Sequence, residues 1–197
     1  MTAGKRFLGA ALLVGGAVFL LGGCAGSGPV KGRSTDARPA VVLPGVPFLP
    51  QEDDTCGPSS LAMVLRFLGQ EVSTAEILRE TRTEGLKGTL ITDLADAARR
   101  RGFAAEVADL DLSRLRERIT EGVPVILLVD LGAWVWSRPH YLVAFGWIPE
   151  GVVAHSGREP GKVIPFSTLD AQWAKMGRLA LIVRRAGGGH SSTWNLR

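Results

Sequence analysis

The chain has 197 residues, of which 46% are hydrophobic and 21% charged, a composition typical of one globular domain with some additional sequence. This composition excludes a disordered chain, a collagen and a polytopic membrane protein. The formal net charge is +4, but setting aside Lys5 and Arg6, in a segment interpreted below as removed, leaves 21 basic against 19 acidic residues. No basic stretch is interleaved with aromatic residues, so we expect no nucleic-acid partner.

Residues 1–23 have the pattern of a secretory signal peptide. Two basic residues precede an uncharged run from Phe7 to Leu21, and small residues follow it. The run has 15 residues, which is shorter than the roughly 20 that a membrane-spanning helix needs. A permanent transmembrane anchor is the alternative interpretation.

The string Leu-Gly-Gly-Cys that ends at Cys24 resembles a bacterial lipoprotein box. The resemblance implies cleavage before Cys24 and lipidation of its sulfur, which would attach the protein to a membrane. Ala25, rather than an aspartate, follows the cysteine, and this implies a location at the outer membrane, facing the periplasm. A disulfide between Cys24 and Cys56 is the alternative, because exported proteins meet an oxidising environment.

The remaining chain divides into three parts by composition. Residues 24–39 are rich in Gly, Ser, Pro and charge and predict a flexible tether. Residues 40–185 are long enough to form one domain with its own core. Residues 186–197 predict a disordered tail.

The first half of this domain has the periodicity of helices. Residues 41–48 are interrupted by proline and predict extended chain. Apolar residues then recur at positions i, i+3, i+4 and i+7, and Ser73 with Glu76 forms a capping box. The predicted helices are Gly57–Leu68, Ser73–Thr81, a third that begins near Leu90 and ends before Gly102, and Leu112–Glu121.

The second half has short apolar or alternating runs bounded by Gly and Pro, which indicate strands. The predicted strands are Val123–Val129, Tyr141–Trp147, Val152–His155, Lys162–Pro165 and Leu179–Val183, with one helix at Ser167–Met176. Helices followed by strands predict an α+β domain. We expect Trp134, Trp136, Trp147 and Trp173 to pack on the sheet or line a cleft.

Cys56 is the candidate nucleophile. It precedes a predicted helix, whose unpaired backbone N–H groups and dipole favour a thiolate at that position. The Cys-Gly-Pro-Ser-Ser string lets the chain turn sharply into the helix, and the polar segment before it is not typical of a strand leading to a buried structural cysteine. A small buried apolar cysteine is the alternative.

A nucleophilic cysteine needs a base, and the chain contains three histidines. We predict that this base is His140, which opens an apolar strand and can face the helix that begins at Cys56. His155 ends the following strand, and His190 lies in the tail. Gln51, five positions before Cys56, is the candidate donor to the oxyanion, together with the Cys56 backbone N–H.

Gln51, the string CGPSSLAMVLRFLG that begins at Cys56 and the string HYLVAFGW that begins at His140 resemble the bacteriocin-processing, double-glycine type of cysteine peptidase. The resemblance covers nearly all of residues 40–185. It implies a papain-like fold, with N-terminal helices packed on a C-terminal antiparallel sheet, and no metal or organic cofactor. It also implies that Cys56 is the nucleophile, His140 the general base and acid, and Gln51 the oxyanion donor.

One position departs from the pattern of that family. An aspartate that orients the histidine is expected at the end of the next strand, and this sequence has Ser156 there. A serine accepts a hydrogen bond but supplies no charge to the imidazolium. Asp130 and Asp170 are the alternative third residues, although their predicted places at a strand end and in a first helical turn suit structural roles.

We therefore expect a lipid-anchored cysteine peptidase that hydrolyses a peptide or isopeptide bond in a peptide or protein substrate. One alternative is a cell-wall amidase of the NlpC type, which also uses Cys and His. Another is a catalytically degenerate domain that binds peptide or assists assembly, which the absence of the aspartate favours. The enzymatic interpretation requires that Cys56 and His140, far apart in the sequence, meet at one cleft.

Overall fold

The computed structural model describes residues 39–52, 54–81, 88–133 and 135–187. The predicted signal peptide, almost all of the tether and tail, Trp134 and His190 lie outside the described residues. The elements, in chain order, are β1 (Val41–Val42), α1 (Cys56–Phe67), α2 (Thr74–Thr81), α3 (Ile91–Arg100), β2 (Phe103–Asp109), α4 (Leu112–Thr120), β3 (Val125–Asp130), β4 (Pro139–Ile148), β5 (Gly151–Ser156), β6 (Glu159–Ile164), α5 (Phe166–Ala174) and β7 (Leu179–Arg185). In the described part of the chain, every helix is too short or too polar to cross a bilayer.

The helix boundaries agree with the sequence signals. At the start of α2, the Ser73 backbone N–H donates to Glu76 Oε2 at 2.7 Å and the Glu76 N–H donates to Ser73 Oγ at 3.2 Å, which is the predicted capping box. The α1 helix ends just before Gly69, whose φ of +88° lies in the left-handed region that glycine tolerates. The prediction of α+β structure is confirmed.

Strand β2 is absent from our sequence prediction. Its residues alternate between partly buried and exposed, with Phe103, Ala105 and Val107 packed against the core. The strand pairs with β7 along its whole length. Three of its seven residues are alanines, whose small side chains weaken the hydrophobic signal, so tertiary pairing rather than local pattern defines this strand.

The strands form one antiparallel sheet in the order β2-β7-β3-β4-β5-β6, and β1 adds to the far end of β4. Helices α1, α2 and α3 cover one face, where their apolar residues meet Ile126, Tyr141 and Val143. Helices α4 and α5 cover the other face, against Leu127 and Leu142. The predicted packing of helices on the sheet is confirmed, and the two later helices add a second layer behind it.

Helix α1 is the central helix of the first layer. Every residue from Cys56 to Leu65 is buried, because α2, α3 and strand β4 all pack against it. A helix enclosed on all sides holds its ends in fixed places, so the amino end of α1 is a rigid position for a side chain.

The tryptophans within the described residues divide into two groups. Trp173 is fully buried and donates from Nε1 to the Leu179 carbonyl at 2.8 Å, and Trp147 stacks on Phe166 with ring centroids 4.3 Å apart. Both pack on the sheet as expected. Trp136 is 80% exposed in the loop between β3 and β4, so the expectation that it packs on the sheet or lines a cleft is wrong.

Candidate active site

Cys56 is the first residue of α1 and is buried, with 6% of its surface exposed. Its side chain is a thiol rather than half of a disulfide. Cys24, the other half of the alternative disulfide, lies outside the described residues. The preceding Thr55 makes no side-chain cap, since its hydroxyl pairs with the backbone of Glu52, and the first turn contains no acidic residue. The N-terminal dipole of α1 therefore acts on the thiol without opposition from its own first turn.

Gln51 is buried directly beside this helix start. Its Nε2 donates to Ser60 Oγ at 2.8 Å and, over a longer distance of 3.3 Å, to the Cys56 carbonyl. Its Oε1 accepts from the Gly157 backbone N–H at 2.6 Å, and the two residues also pair through their backbones. Gln51 thus joins the start of α1 to the turn that follows β5, and its role as oxyanion donor stays a prediction.

His140 and Ser156 lie side by side on the sheet. His140, at the start of β4, is buried, and Ser156 is the last residue of β5. Pairing of Val143 with His155 puts Ser156 diagonally across from His140 on the same face. The His140 Nε2 lies 3.2 Å from Ser156 Oγ, so the serine occupies the place beside the imidazole that the sequence predicted for the third residue.

The start of β4 also packs against the start of α1. A Cβ added to Gly57 would lie 3.2 Å from the Tyr141 ring. Gly57 follows Cys56 and Tyr141 follows His140, so this contact brings the two chain segments together. The Tyr141 hydroxyl donates to the Thr89 carbonyl at 2.9 Å. Burial raises the pKa of Tyr141, and negative charge on Cys56 raises it further.

These contacts bring the four predicted site residues into one cluster. Gln51 contacts Cys56 and the Gly157 turn, Ser156 precedes that turn, and Ser156 contacts His140. Ser60 and Gly157, which hold the Gln51 amide, are not among the predicted site residues. Ser60 follows the Cys-Gly-Pro-Ser string, and its place directly before the apolar run Leu61–Leu65 is the signal that could have identified it.

His155 is held in a structural role. Its Nε2 donates to the Val46 carbonyl at 3.1 Å, and its Nδ1 accepts from the Gly161 N–H at 3.1 Å. Phe48 and Phe145 pack against its ring, and burial lowers the pKa of His155. Both ring nitrogens are therefore engaged away from Cys56.

The two alternative aspartates are engaged elsewhere. Asp130 Oδ1 accepts from the backbone N–H groups of Arg138 and Gly132, each at 2.7 Å, and these bonds lower the pKa of Asp130. Asp170 forms a two-pronged ion pair with Arg178 at 2.9 and 3.0 Å, which lowers the pKa of Asp170. Their hydrogen bonds order the loop before β4 and the turn before β7. Within the described ranges, no three His, Cys, Asp or Glu side chains converge to hold a metal ion.

Comparisons with known proteins show which family this chain belongs to. A family model described as the Peptidase_C39 like family matches residues 44–181, a span that includes all four site residues. The chain belongs to this family. No curated protein is similar enough to this C39-like chain to count as a match.

Solved structures show the same fold. A protein from Bacillus anthracis described as a C39-like peptidase has a TM-score of 0.62 and 18% identity, covering 76% of this chain and 99% of that one. The peptidase domain of Streptococcus ComA, a bifunctional ABC transporter of a quorum-sensing pathway, has a TM-score of 0.61 and 21% identity. The match covers 72% of this chain and 100% of that one. A double glycine motif protease from an AMS/PCAT transporter, in complex with a leader peptide, has a TM-score of 0.59 and 21% identity. The match covers 76% of this chain and 100% of that one. The predicted papain-like peptidase fold is confirmed.

Proposed function

We propose that this C39-like chain is an active cysteine peptidase that uses Cys56 and His140. The observation that carries the proposal is the cluster at the junction of α1 and β4. There a buried thiol begins a helix, and the Gly57 backbone beside it packs against Tyr141, the neighbour of His140. The family membership supports the same chemistry.

In the proposed reaction, His140 takes the thiol proton and the Cys56 thiolate attacks the carbonyl carbon of a peptide or isopeptide bond. His140 then gives the proton to the leaving amine, and a thioester remains on Cys56. A water molecule that His140 deprotonates hydrolyses the thioester and restores the thiol. Because the His140 Nε2 faces Ser156, the proposal assigns these proton transfers to Nδ1.

The oxyanion of the attacked carbonyl would be bound by the Cys56 backbone N–H and the Gln51 amide. The Gln51 Nε2 is placed beside the Cys56 backbone, and its bond to the Cys56 carbonyl is the longer of its two donor bonds. An incoming oxyanion has the charge to replace that weaker carbonyl acceptor. Ser60 Oγ would keep the amide in place during the exchange.

The substrate proposed here is a peptide or a protein segment. A structural neighbour of the same fold has been solved in complex with a leader peptide. The signal-peptide pattern supports export, with a lipid on Cys24 holding the domain at the outer membrane on the periplasmic side. Metabolic labelling with an alkyne fatty acid would test the anchor: Cys24→Ser is expected to abolish the label, and a label retained by this variant would exclude Cys24 as the lipidated residue.

A catalytically degenerate peptide-binding domain is the second candidate, and Ser156 is the observation that favours it. The hydroxyl beside His140 orients the imidazole but contributes no negative charge to stabilise the imidazolium. Cysteine chemistry depends less on this charge than serine chemistry does, because a thiolate and an imidazolium stabilise each other.

Alkylation of Cys56 across pH separates the two candidates. In a Cys24→Ser background Cys56 is the only thiol in the chain. We expect the alkylation rate to hold a plateau well below about pH 8.5, where an ordinary thiol titrates, and we expect His140→Ala to abolish the plateau. A rate that titrates near 8.5 in both proteins would contradict the ion pair and favour the binding domain. His155→Asn is the matched control and is expected to keep the plateau.

A further inference from the structure

The loop between β3 and β4 carries the most exposed large apolar side chains of the described residues. Val135 is 90% exposed and Trp136 is 80% exposed, and we call these two residues the apolar tip. The other exposed apolar side chains, those of Val42, Leu90 and Val163, are only 42–49% exposed and are scattered. Scattered apolar residues are normal at a protein surface, whereas adjacent ones mark a place where another surface binds.

Hydrogen bonds hold the described part of this loop in one shape. At its base, the Leu131 N–H donates to the Arg138 carbonyl at 3.0 Å, and Asp130 Oδ1 accepts from the Arg138 N–H at 2.7 Å. Nearer the tip, the Trp136 N–H donates to the Ala133 carbonyl at 3.1 Å. Backbone groups that are already paired resist transfer into an apolar medium less than unpaired ones do. The loop therefore presents its apolar tip in a defined place.

The apolar tip is a protrusion rather than part of a cleft. A cavity of about 280 Å³ lies beside His140, and of the described loop residues it is lined by Leu131 and Arg138 and not by the apolar tip. Small ligands and peptides bind in concave sites or grooves that surround their side chains. A bilayer interface covers a protruding side chain without a second protein wall. Tryptophan suits this interface, because its ring is apolar and its N–H is polar.

The charges around the loop are compatible with an anionic lipid surface. The sequence from Leu131 to Arg138 contains no acidic residue. The Asp130 carboxylate at the base is buried and accepts from backbone N–H groups of the loop. Lys175, which is exposed at the end of α5, donates from Nζ to the Gly132 carbonyl at 3.0 Å. This contact holds a positive charge at the base of the loop, where it attracts the phosphates of lipid headgroups.

The predicted tether is long enough to let the apolar tip reach a bilayer. Val41, near the start of the described chain, pairs with Trp147, which is eight residues along β4 from Pro139. At about 3.4 Å per residue, the two ends of this stretch are about 27 Å apart. Cys24 and Pro39 are 15 residues apart, so a flexible tether would have a typical length of about 20 Å and a maximum of about 50 Å. A second contact within such a span has a high effective concentration, so a small apolar contact is sufficient.

We infer that the β3–β4 loop docks on the bilayer to which the chain is predicted to be anchored, with its apolar tip inserted at the lipid interface. The inference goes beyond the proposed chemistry but rests on the membrane anchor in the proposed function. Pro139 and His140 follow the loop directly in β4. Docking therefore holds the His140 end of the candidate site near the lipid surface.

The test places an environment-sensitive fluorophore on the loop. Val135→Cys is labelled in a Cys56→Ser background, and the full chain is reconstituted in vesicles of phosphatidylethanolamine and phosphatidylglycerol. Val42→Cys, beside the far end of β4, is the matched control, and the background protein alone reports any label on Cys24. We expect nitroxide groups on the lipid acyl chains to quench the label at position 135 and to leave the label at position 42 unquenched. Trp136→Ser is expected to reduce the quenching at position 135 severalfold.

Equal quenching at the two positions, or none at position 135, would overturn the inference. Quenching that Trp136→Ser leaves unchanged would also overturn it. A label at position 135 that lipid does not quench, but that responds to added peptide or to protein concentration, would assign the apolar tip to the substrate or to a second copy. Flotation of the vesicles reports the anchor separately, and a chain that does not float overturns the inference together with the anchor. Because the background lacks the Cys56 thiol, none of these results depends on peptidase activity.

Discussion

Replacing Gln51 by alanine removes a buried link between three parts of the candidate site. Its side chain holds Ser60 on α1, the Cys56 carbonyl at the helix start, and the Gly157 N–H in the turn after β5. Only 4% of Gln51 is exposed, so little solvent is in place to satisfy the partners that the alanine variant abandons. The variant therefore tests whether this residue connects the helix layer to the sheet.

The size of the effect follows from the three contacts. A hydrogen bond contributes about 1 kcal/mol net, and a buried donor left unpaired costs about 1–3 kcal/mol. The lost Ser60 bond, at about 1 kcal/mol, and the abandoned Gly157 N–H, at about 1–3 kcal/mol, together lower the free energy of unfolding by about 2–4 kcal/mol. In a domain of this size each kcal/mol lowers the melting temperature by about 2–4 °C, so the expected fall is roughly 4–16 °C.

Thermal and urea unfolding followed by circular dichroism measure this loss. Gln172→Ala, at a half-buried glutamine on α5, is the matched control and is expected to change stability by less than about 0.5 kcal/mol. Gln51→Glu separates structure from catalysis, because it keeps the acceptor for Gly157 but removes the amide donor. We expect it to lose about 10²–10³-fold in kcat while losing less stability than the alanine variant. A Gln51→Ala protein as stable as the wild type would refute the reasoning.

Three further predictions follow from buried groups outside this link. Since burial lowers the pKa of His155, the unfolded chain binds the proton more tightly, and the free energy of unfolding should fall as the pH drops below about 6.5. Urea unfolding at pH 7 and pH 5 should show a weaker pH dependence in His155→Asn than in the wild type. An equal dependence in the two proteins would contradict this prediction. Tyr141→Phe leaves the Thr89 carbonyl unpaired and should lower the free energy of unfolding by about 0.5–1.5 kcal/mol in urea titrations. No change would mean that water replaces the hydroxyl. Trp173→Ala empties a fully buried site and should lower the free energy of unfolding by about 3–5 kcal/mol in the same assay. A loss below about 1 kcal/mol would show that the α5 layer collapses to fill the space.

The local elements were predictable because their signals are local. The capping box of Ser73 and Glu76 satisfies two backbone donors within one helical turn, so four consecutive residues are enough to identify the start of α2. The apolar spacing of α1 is equally local, and its predicted bounds differ from the observed ones by one residue. Strand β2 has no comparable signal, because its stability comes from pairing with β7, 70 or more residues further along the chain.

The sequence by itself determined the chemistry available to this protein: one thiol at a helix start, one histidine at a strand start, and a serine where the family pattern has an aspartate. Only the tertiary structure decided which groups meet. It placed Ser156 at the His140 Nε2, engaged both nitrogens of His155 elsewhere, and used the Gln51 amide to join α1 to the Gly157 turn. These contacts join segments from 16 to more than 100 residues apart, and the register of packed strands sets such distances, which a local pattern of residues does not contain.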